Sequence, residues 1–254
     1  MIYKFDDTDI TAYGVLPLQS DGGIALSGMF DLPKRKGETE RNWGDRIEPY
    51  TESEDLAFEG RSIGLKVVMP DADNLEEFCR ACLECRLLGT ELGNFRVIVK
   101  DGIQVERSGG KIVKISVNFW QDEVSFPELT LAGSGGEGYI LGGYHLERDF
   151  GIQVASLKDD LDIPKRIEVN TTDHYRENCY RSSGNLTLEC CLWAENLVGI
   201  AGRIGQFHAL CAAPGLKLLR FPGGRQKEVY VKDGFKVKVR DEKMVEFGLK
   251  MEML

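Results

Sequence analysis

The chain has 254 residues, 42% hydrophobic and 29% charged, with a formal net charge of -9; that make-up belongs to a folded globular protein and excludes a disordered or collagen-like one. No stretch approaches the roughly 18 consecutive apolar residues of a membrane helix, and the opening MIYKFDDTDI carries aspartates where a secretory leader would be basic and then apolar, so a cytoplasmic protein with no membrane partner is expected. An acidic surface repels phosphate backbones, which argues against tight nucleic-acid binding, and seven cysteines, with Cys190 beside Cys191, suggest no disulfide framework.

In chain order, the first recognisable element is Tyr13-Gly14-Val15, followed by a proline-basic turn, Asp31-Leu32-Pro33-Lys34-Arg35. A long loop from Lys36 to Glu59 leads to Ile63, Leu65, Val67 and Met69, which alternate with Gly64, Lys66 and Val68 and predict a strand. The period then changes. Leu75, Phe78, Cys79 and Cys82 fall at i, i+3, i+4, i+7 and predict an amphipathic helix. Asp73 is its expected N-cap, Glu76 and Glu77 sit near the positive end of the dipole, and Gly93 is the expected stop. Val99-Lys100-Asp101-Gly102 reads as an Asp-Gly hairpin turn, and Val113, Ile115, Val117 and Phe119 form one face of a further strand. Next comes LAGSGGEGYILGG, glycine-rich and without periodicity, the natural linker.

Beyond it the same signals return in the same order. Phe150-Gly151-Ile152 answers Tyr13-Gly14-Val15, and Asp162-Ile163-Pro164-Lys165-Arg166 answers the first proline-basic turn. Leu186, Leu188, Cys190 and Leu192 repeat the alternating strand, and Leu197, Ile200, Ala201 and Ile204 repeat the helix stripe. From Asn74/Asn196 to Gly93/Gly215 the two halves align without a gap. A second VKDG stands at 231–234, after ten extra residues that lengthen a hairpin around FPGG, and Val245, Phe247, Leu249 and Met251 close the series. Residue identities, strand alternation, helix stripe and turn residues recurring together indicate a tandem duplication. The expected organisation is a first module at 1–125, a glycine-rich linker at 126–142 and a second module at 143–254. The expected class is α+β, mainly β: two similar β-sandwich or split-barrel modules, each carrying one α-helix.

Catalytic chemistry is not legible. Gly133, Gly135 and Gly138 have G-x-G-x-x-G spacing, but no helix follows to bring a pyrophosphate to its N-terminus, so a connector is expected. Cys79, Cys82 and Cys85 form C-x-x-C-x-x-C inside an amphipathic helix, and Ala201, Ile204 and Phe207 hold the equivalent places in the repeat. That points to small core residues rather than a metal site. His145, His174 and His208 accompany no nucleophile motif, and the carboxylates are scattered. The expectation is a non-enzyme with no catalytic residues, no cofactor and no metal. Lys34, Arg35, Lys165 and Arg166 recur after a proline at what reads as a strand edge. They are either solvated charges that discourage edge-to-edge aggregation or candidates for pairing across an assembly interface. The loop from Lys36 to Glu59 is longer than its counterpart and is the candidate contact arm.

A strand-rich module with one helix, carrying Tyr13-Gly14-Val15, Leu32-Pro33-Lys34-Arg35, the helix from Leu75 to Leu88 and Val99 to Gly102, each with a counterpart, resembles the module of phage tail tube and distal tail proteins. The resemblance spans almost all of the chain and lies in pattern, through short motifs. It implies paired sheets from neighbouring subunits lining a ring through which DNA passes without specific binding, helices outside, long loops stacking ring on ring, and other tail proteins as partners. It also implies a place in the virion tail after a cytoplasmic stage. Distal tail proteins carry a galectin-like second domain, whereas here the second half repeats the first. Two tube-type modules per chain, as in baseplate hub proteins, favour a trimer with pseudo-sixfold symmetry over a hexamer. The competing expectations are a two-domain ligand-binding protein or enzyme with a cleft between the repeats, and a monomeric adaptor.

Overall fold

The computed structural model describes residues 1–19, 23–43, 46–107, 111–160, 165–170, 175–180 and 184–253, with 165–170 and 175–180 described as backbone only. The fold is α+β and mainly β, with every strand pairing antiparallel. Asp162, Ile163, Pro164 and His174, singled out from the sequence, lie outside the described residues.

In the first half the strand Arg61–Met69 is central, paired on one side with Val113–Gln121 and on the other with the short strands Leu16–Pro17 and Leu26–Ser27. Its alternation places Ile63, Leu65, Val67 and Met69 wholly out of solvent, as a strand half-buried on one face requires. In the second half Gly184–Trp193 is central, between Met244–Met253 and Ile152–Asp160. The registers coincide. Leu65 faces Val117 and Leu188 faces Leu249; Met69 faces Val113 and Leu192 faces Val245. Leu26 opposes Leu65 as Leu157 opposes Leu188, and Leu16 opposes Val68 as Gln153 opposes Cys191. One continuous strand in the second half is thus interrupted in the first by residues 18–25. A one-residue slip would turn each strand's apolar set toward solvent, so shared register is a stringent form of internal similarity.

The flanking sheets agree too. Thr8–Asp9, Tyr3–Phe5, Leu87–Thr90 and Gly93–Arg96 lie in that order, matched by Tyr144–His145, Ile140–Leu141, Lys217–Arg220 and Gln226–Tyr230. A short helical turn follows in each half, Ile10–Tyr13 capped by Asp9 and Leu146–Phe150 capped by His145, and each ends on a left-handed glycine, Gly14 or Gly151. The glycines of the Y-G-V and F-G-I echo are therefore turn stops, for which a positive φ is needed.

Three local expectations are corrected. Helix α1 (Leu75–Glu84) stops well before Gly93, because Leu87–Thr90 pairs with Tyr3–Phe5 and the Asp6 carboxylate accepts from the N–H groups of Arg86 and Leu87. After the one-turn α2 (Leu146–Phe150), helix α3 (Leu197–Ala212) continues for 16 residues, so the gapless match to Gly93/Gly215 fails. Asp73 lies in the 3₁₀ turn Ala72–Asn74 and does not cap α1, whereas the Asn196 side chain caps α3 by accepting from Gly199 N–H. VKDG is not a hairpin turn in the first half. The strand Ile98–Arg107 runs through it along one partner, with an irregularity between Val99 and Ile103 where Gly102 takes φ 84°, a β-bulge.

The two halves share one hydrophobic core. Cys82 and Cys85 lie wholly within it, burial pushing the Cys85 thiol up to about 11. Among the described residues no helix is long and apolar enough to cross a membrane.

Leu65→Ala and Leu188→Ala, at equivalent fully buried positions, should each destabilise the protein by about 2–5 kcal/mol, read from the urea unfolding midpoint. Similar costs are expected because both sites face the same kind of cross-strand partner.

Candidate functional site

The second half leaves the edge of its strand Val237–Asp241 and the preceding Phe235 to be covered from outside, and the first half covers them. Leu32 N–H donates to Phe235 O and Phe235 N–H donates to Leu32 O, both at 3.0 Å. Val237 N–H donates to the Asp31 carboxylate at 2.7 Å. The approach is close enough that a Cβ on Gly234 would stand 2.0 Å from Leu32 O, so the glycine of the second VKDG is required by contact.

Arg35, an interface candidate from the sequence, is buried at this junction. Its Nη1 donates to Tyr50 O at 3.2 Å and its guanidinium lies 6.0 Å from the Phe58 ring centre. Its Nε has no hydrogen-bond partner among the described residues, and burial lowers its pKa. Lys34 stays exposed on the rim of an adjacent cleft. Lys165 and Arg166 open the strand Lys165–Asn170, opposite Tyr180 and Cys179; their side chains lie outside the described part. The structure thus brings Arg35 to an interface within the chain and leaves Lys34 on the surface.

The expected contact arm also turns inward. Residues 40–42 and 47–49 form a small hairpin, and from it Glu40 reaches Lys232 at 3.2 Å, while Lys232 also pairs with Glu252 at 2.9 Å. Tyr230 donates its hydroxyl toward Glu40 and Glu252, and Gly215 N–H donates to Thr51 O at 2.8 Å. Burial alone would raise the Glu252 carboxyl, but hydrogen bonds from Lys232 and Tyr230 hold it below its ordinary value. Burial would likewise lower Lys232, and the two carboxylates raise it. Such a network stabilises only while complete, since removing one partner leaves the others buried and unpaired.

Behind the backbone exchange, an aromatic row crosses from one half to the other: Phe58 to Phe126 at 5.1 Å, Phe126 to His208 at 6.1 Å, and His208 to Phe235 at 5.4 Å. The connecting segment is held over α3 by Gln206, whose side-chain oxygen accepts from Thr130 N–H and whose amide donates to Glu128 O. The glycine-spaced run ends in the strand Ile140–Leu141, not in a helix. His208 is buried, its Nε2 has no partner among the described residues, and burial followed by the charge of Arg61 brings its pKa down to about 3.

Beside the exchange opens a cleft of about 830 Å³ lined by both halves, including Asp31, Arg61, Trp120, Phe235 and Lys236. Arg61 donates to Gln121 Oε1 at 2.8 Å and to Asp31 O at 3.1 Å. Burial lowers its pKa to about 10, with Asp31 opposing, and burial raises Asp31 against the pull of Val237 N–H and Arg61. Arg61 thus donates to the Asp31 main chain, while the Asp31 carboxylate accepts from Val237 N–H at the junction. Among the described residues no three of His, Cys, Asp and Glu are placed to hold a metal ion.

Sequence reasoning singled out Arg35 for contact between subunits rather than within the chain, and missed Asp31, Lys232, Gly234 and His208 as junction residues. The signal for three of them was present: Asp31 belongs to the first proline-basic echo, and Lys232 and Gly234 to the second VKDG. No family model matches the chain, and comparison with curated proteins and with solved structures gives no match.

Two outcomes are expected. Gly234→Ala should force the Leu32 carbonyl away and destabilise the protein by about 1–3 kcal/mol, with proteolysis in the connecting segment 122–139 accelerated. For His208 the unfolded imidazole takes a proton near its ordinary 6.5, whereas the folded one resists down to about 3. Unfolded chains then bind more protons, so stability falls as pH drops below 6.5, by up to about 1.4 kcal/mol per pH unit for one proton. His208→Phe should flatten the melting-temperature profile between pH 6.5 and 4.5.

Proposed function

We propose that this chain is a structural component of a phage or prophage tail, of the tube, distal tail or baseplate hub kind, assembling into a ring around a DNA channel. The observation that carries the reading is the junction: one copy of a module covers the strand edge of the next by a contact that is not its own mirror image. Contacts of this heterologous type generate rings when the rotation closes. With two modules per chain, three chains would give six module positions, so a pseudo-sixfold trimer is favoured and a hexamer of chains is second. An acidic chain of net charge -9 would let DNA pass without gripping its phosphates. Function of this kind is geometric and needs no catalytic residue.

A ligand-binding protein or enzyme using the cleft is the second reading, favoured by the convergence of Asp31, Arg61 and Trp120 from one half with Lys236 from the other. Sedimentation velocity with negative-stain imaging of the purified protein separates the two. Ring particles built from three chains of 28.4 kDa that do not retain duplex DNA are expected. Monomers at every concentration, carrying a co-purified small molecule, would favour the cleft.

A further inference from the structure

We infer that the cleft beside the junction binds an acidic, extended peptide segment of a partner protein, which adds as a short strand to the outer edge of Val237–Asp241. The inference goes beyond the ring reading and does not rest on it.

The backbone comes first. Among the described residues Val237–Asp241 pairs with Met244–Met253 and with no other strand, so its second side is an edge. On that side Phe235 exchanges both backbone groups with Leu32, and two residues further on Val237 gives its N–H to the Asp31 carboxylate. Alternate residues of an antiparallel strand present their backbone groups to the same side, so the Val237 carbonyl and then the N–H and carbonyl of Val239 face outward next. Val237, Lys238 and Val239 line the cleft. The cover supplied by the first repeat thus stops at Asp31, whose carboxylate takes one N–H and gives nothing to the groups beyond it. An acceptor followed at strand spacing by a donor and an acceptor is matched by another backbone.

Charge decides the side chains. Arg61 and Asp31 are engaged with the junction, and the remaining charged groups of the cleft are Lys34, Lys66, Lys236 and Lys238 against Glu59 alone. All four lysines are exposed, and none forms a salt bridge among the described residues. Glu246, opposite Lys238 in the sheet, is taken by Arg240. In a chain with 41 acidic and 32 basic side chains such a concentration runs against the general balance. Lysines on a strand edge guard it against aggregation, which accounts for Lys236 and Lys238. Lys34 comes from the proline-basic turn and Lys66 from the strand Arg61–Met69; neither belongs to that edge, and both converge on the same cleft. Side chains directly opposite each other lie on one face of a sheet. Residues of the occupant opposite Lys236 and Lys238 are therefore acidic, and those opposite Val237 and Val239 apolar.

The test titrates acetyl-Val-Glu-Val-Glu-Val-amide into the full chain by calorimetry at low salt, with hydrogen exchange read at the Val239 amide. Binding that weakens with added salt and protects Val239 N–H is expected. Lys66→Gln with Lys238→Gln, both at exposed positions, should leave the melting temperature unmoved and weaken binding about tenfold, as the loss of two partly shielded ion pairs. N-methylation of the valine amides keeps the charge, removes the backbone donors and should abolish binding. Equal binding of the N-methylated peptide would reveal a site for anions and not a strand edge, and overturns the inference. Equal binding of acetyl-Val-Lys-Val-Lys-Val-amide, or no heat at about 1 mM peptide, overturns it as well. Assemblies that come apart on adding the peptide would place a second copy in the cleft and overturn the partner. Rings that ignore the peptide overturn this site and leave the ring reading standing, whereas monomers that bind it support the site and tell against the ring.

Discussion

The structure turns on an exchange of two backbone hydrogen bonds between Leu32 and Phe235. A strand at the end of a sheet carries polar groups that water can satisfy but an apolar neighbour cannot. In the second repeat those groups are met by a loop from the first, and once they are met the apolar side chains around them can be buried. Phe235 stacks on Phe247 with ring centres 4.8 Å apart, and His208 closes the row from the other side. Each step presupposes the one before. Without the exchange, Asp31 would lose the N–H that Val237 gives it, and Arg61 would face a carboxylate with no fixed position.

The charges at the junction follow from that closeness. Arg35 and Arg61 are driven to lower pKa by burial, and His208 is held neutral. Buried cations with few carboxylates near them are a cost that packing around them must offset, and they seldom add net stability. They do specify arrangement. The guanidinium of Arg35 donates to Tyr50 O and lies by the Phe58 ring, both in its own repeat, whereas the Glu40–Lys232–Glu252 set closes only when the small hairpin lies against the second repeat.

How much of this could be read from the residues depends on whether the deciding contact was local. The strand pairs were legible because period-two alternation fixes which face is buried, and aligning the repeats on Leu65 and Leu188 gave the true register. The length of α1 was not. The apolar residues run on through Leu87 and Leu88, and only the distant Tyr3–Phe5 strand draws those residues into a sheet. The VKDG segment misled for a related reason: Asp-Gly marks a reversal in isolation, yet continued pairing with the one strand Val113–Gln121 before and after it converts the reversal into a bulge. The contacts of the loop after Lys36, to Tyr230, Lys232 and Gly215, were not legible because they lie more than 160 positions away. Arg35 was singled out by its recurrence as a candidate for pairing between subunits, whereas the contacts seen around it lie within the chain.

The two repeats are similar in register without being identical. The first repeat carries the insertion at 18–25, the shorter helix, nearly all of the net negative charge and the uncovered strand. The second carries the longer α3, whose Phe207 and His208 fill the junction, and a covered strand. A bare edge is an aggregation hazard unless something keeps wrong partners away. In Ile98–Arg107 that role falls to Lys100, Asp101, Glu106 and Arg107, all exposed, set between the apolar Ile98 and Val105. Charged side chains on an edge discourage pairing with a like strand. The asymmetry between the repeats is therefore one of cover: the strand edge of the second is closed within the chain, and the edge of the first stands open among the described residues with mixed charges along it.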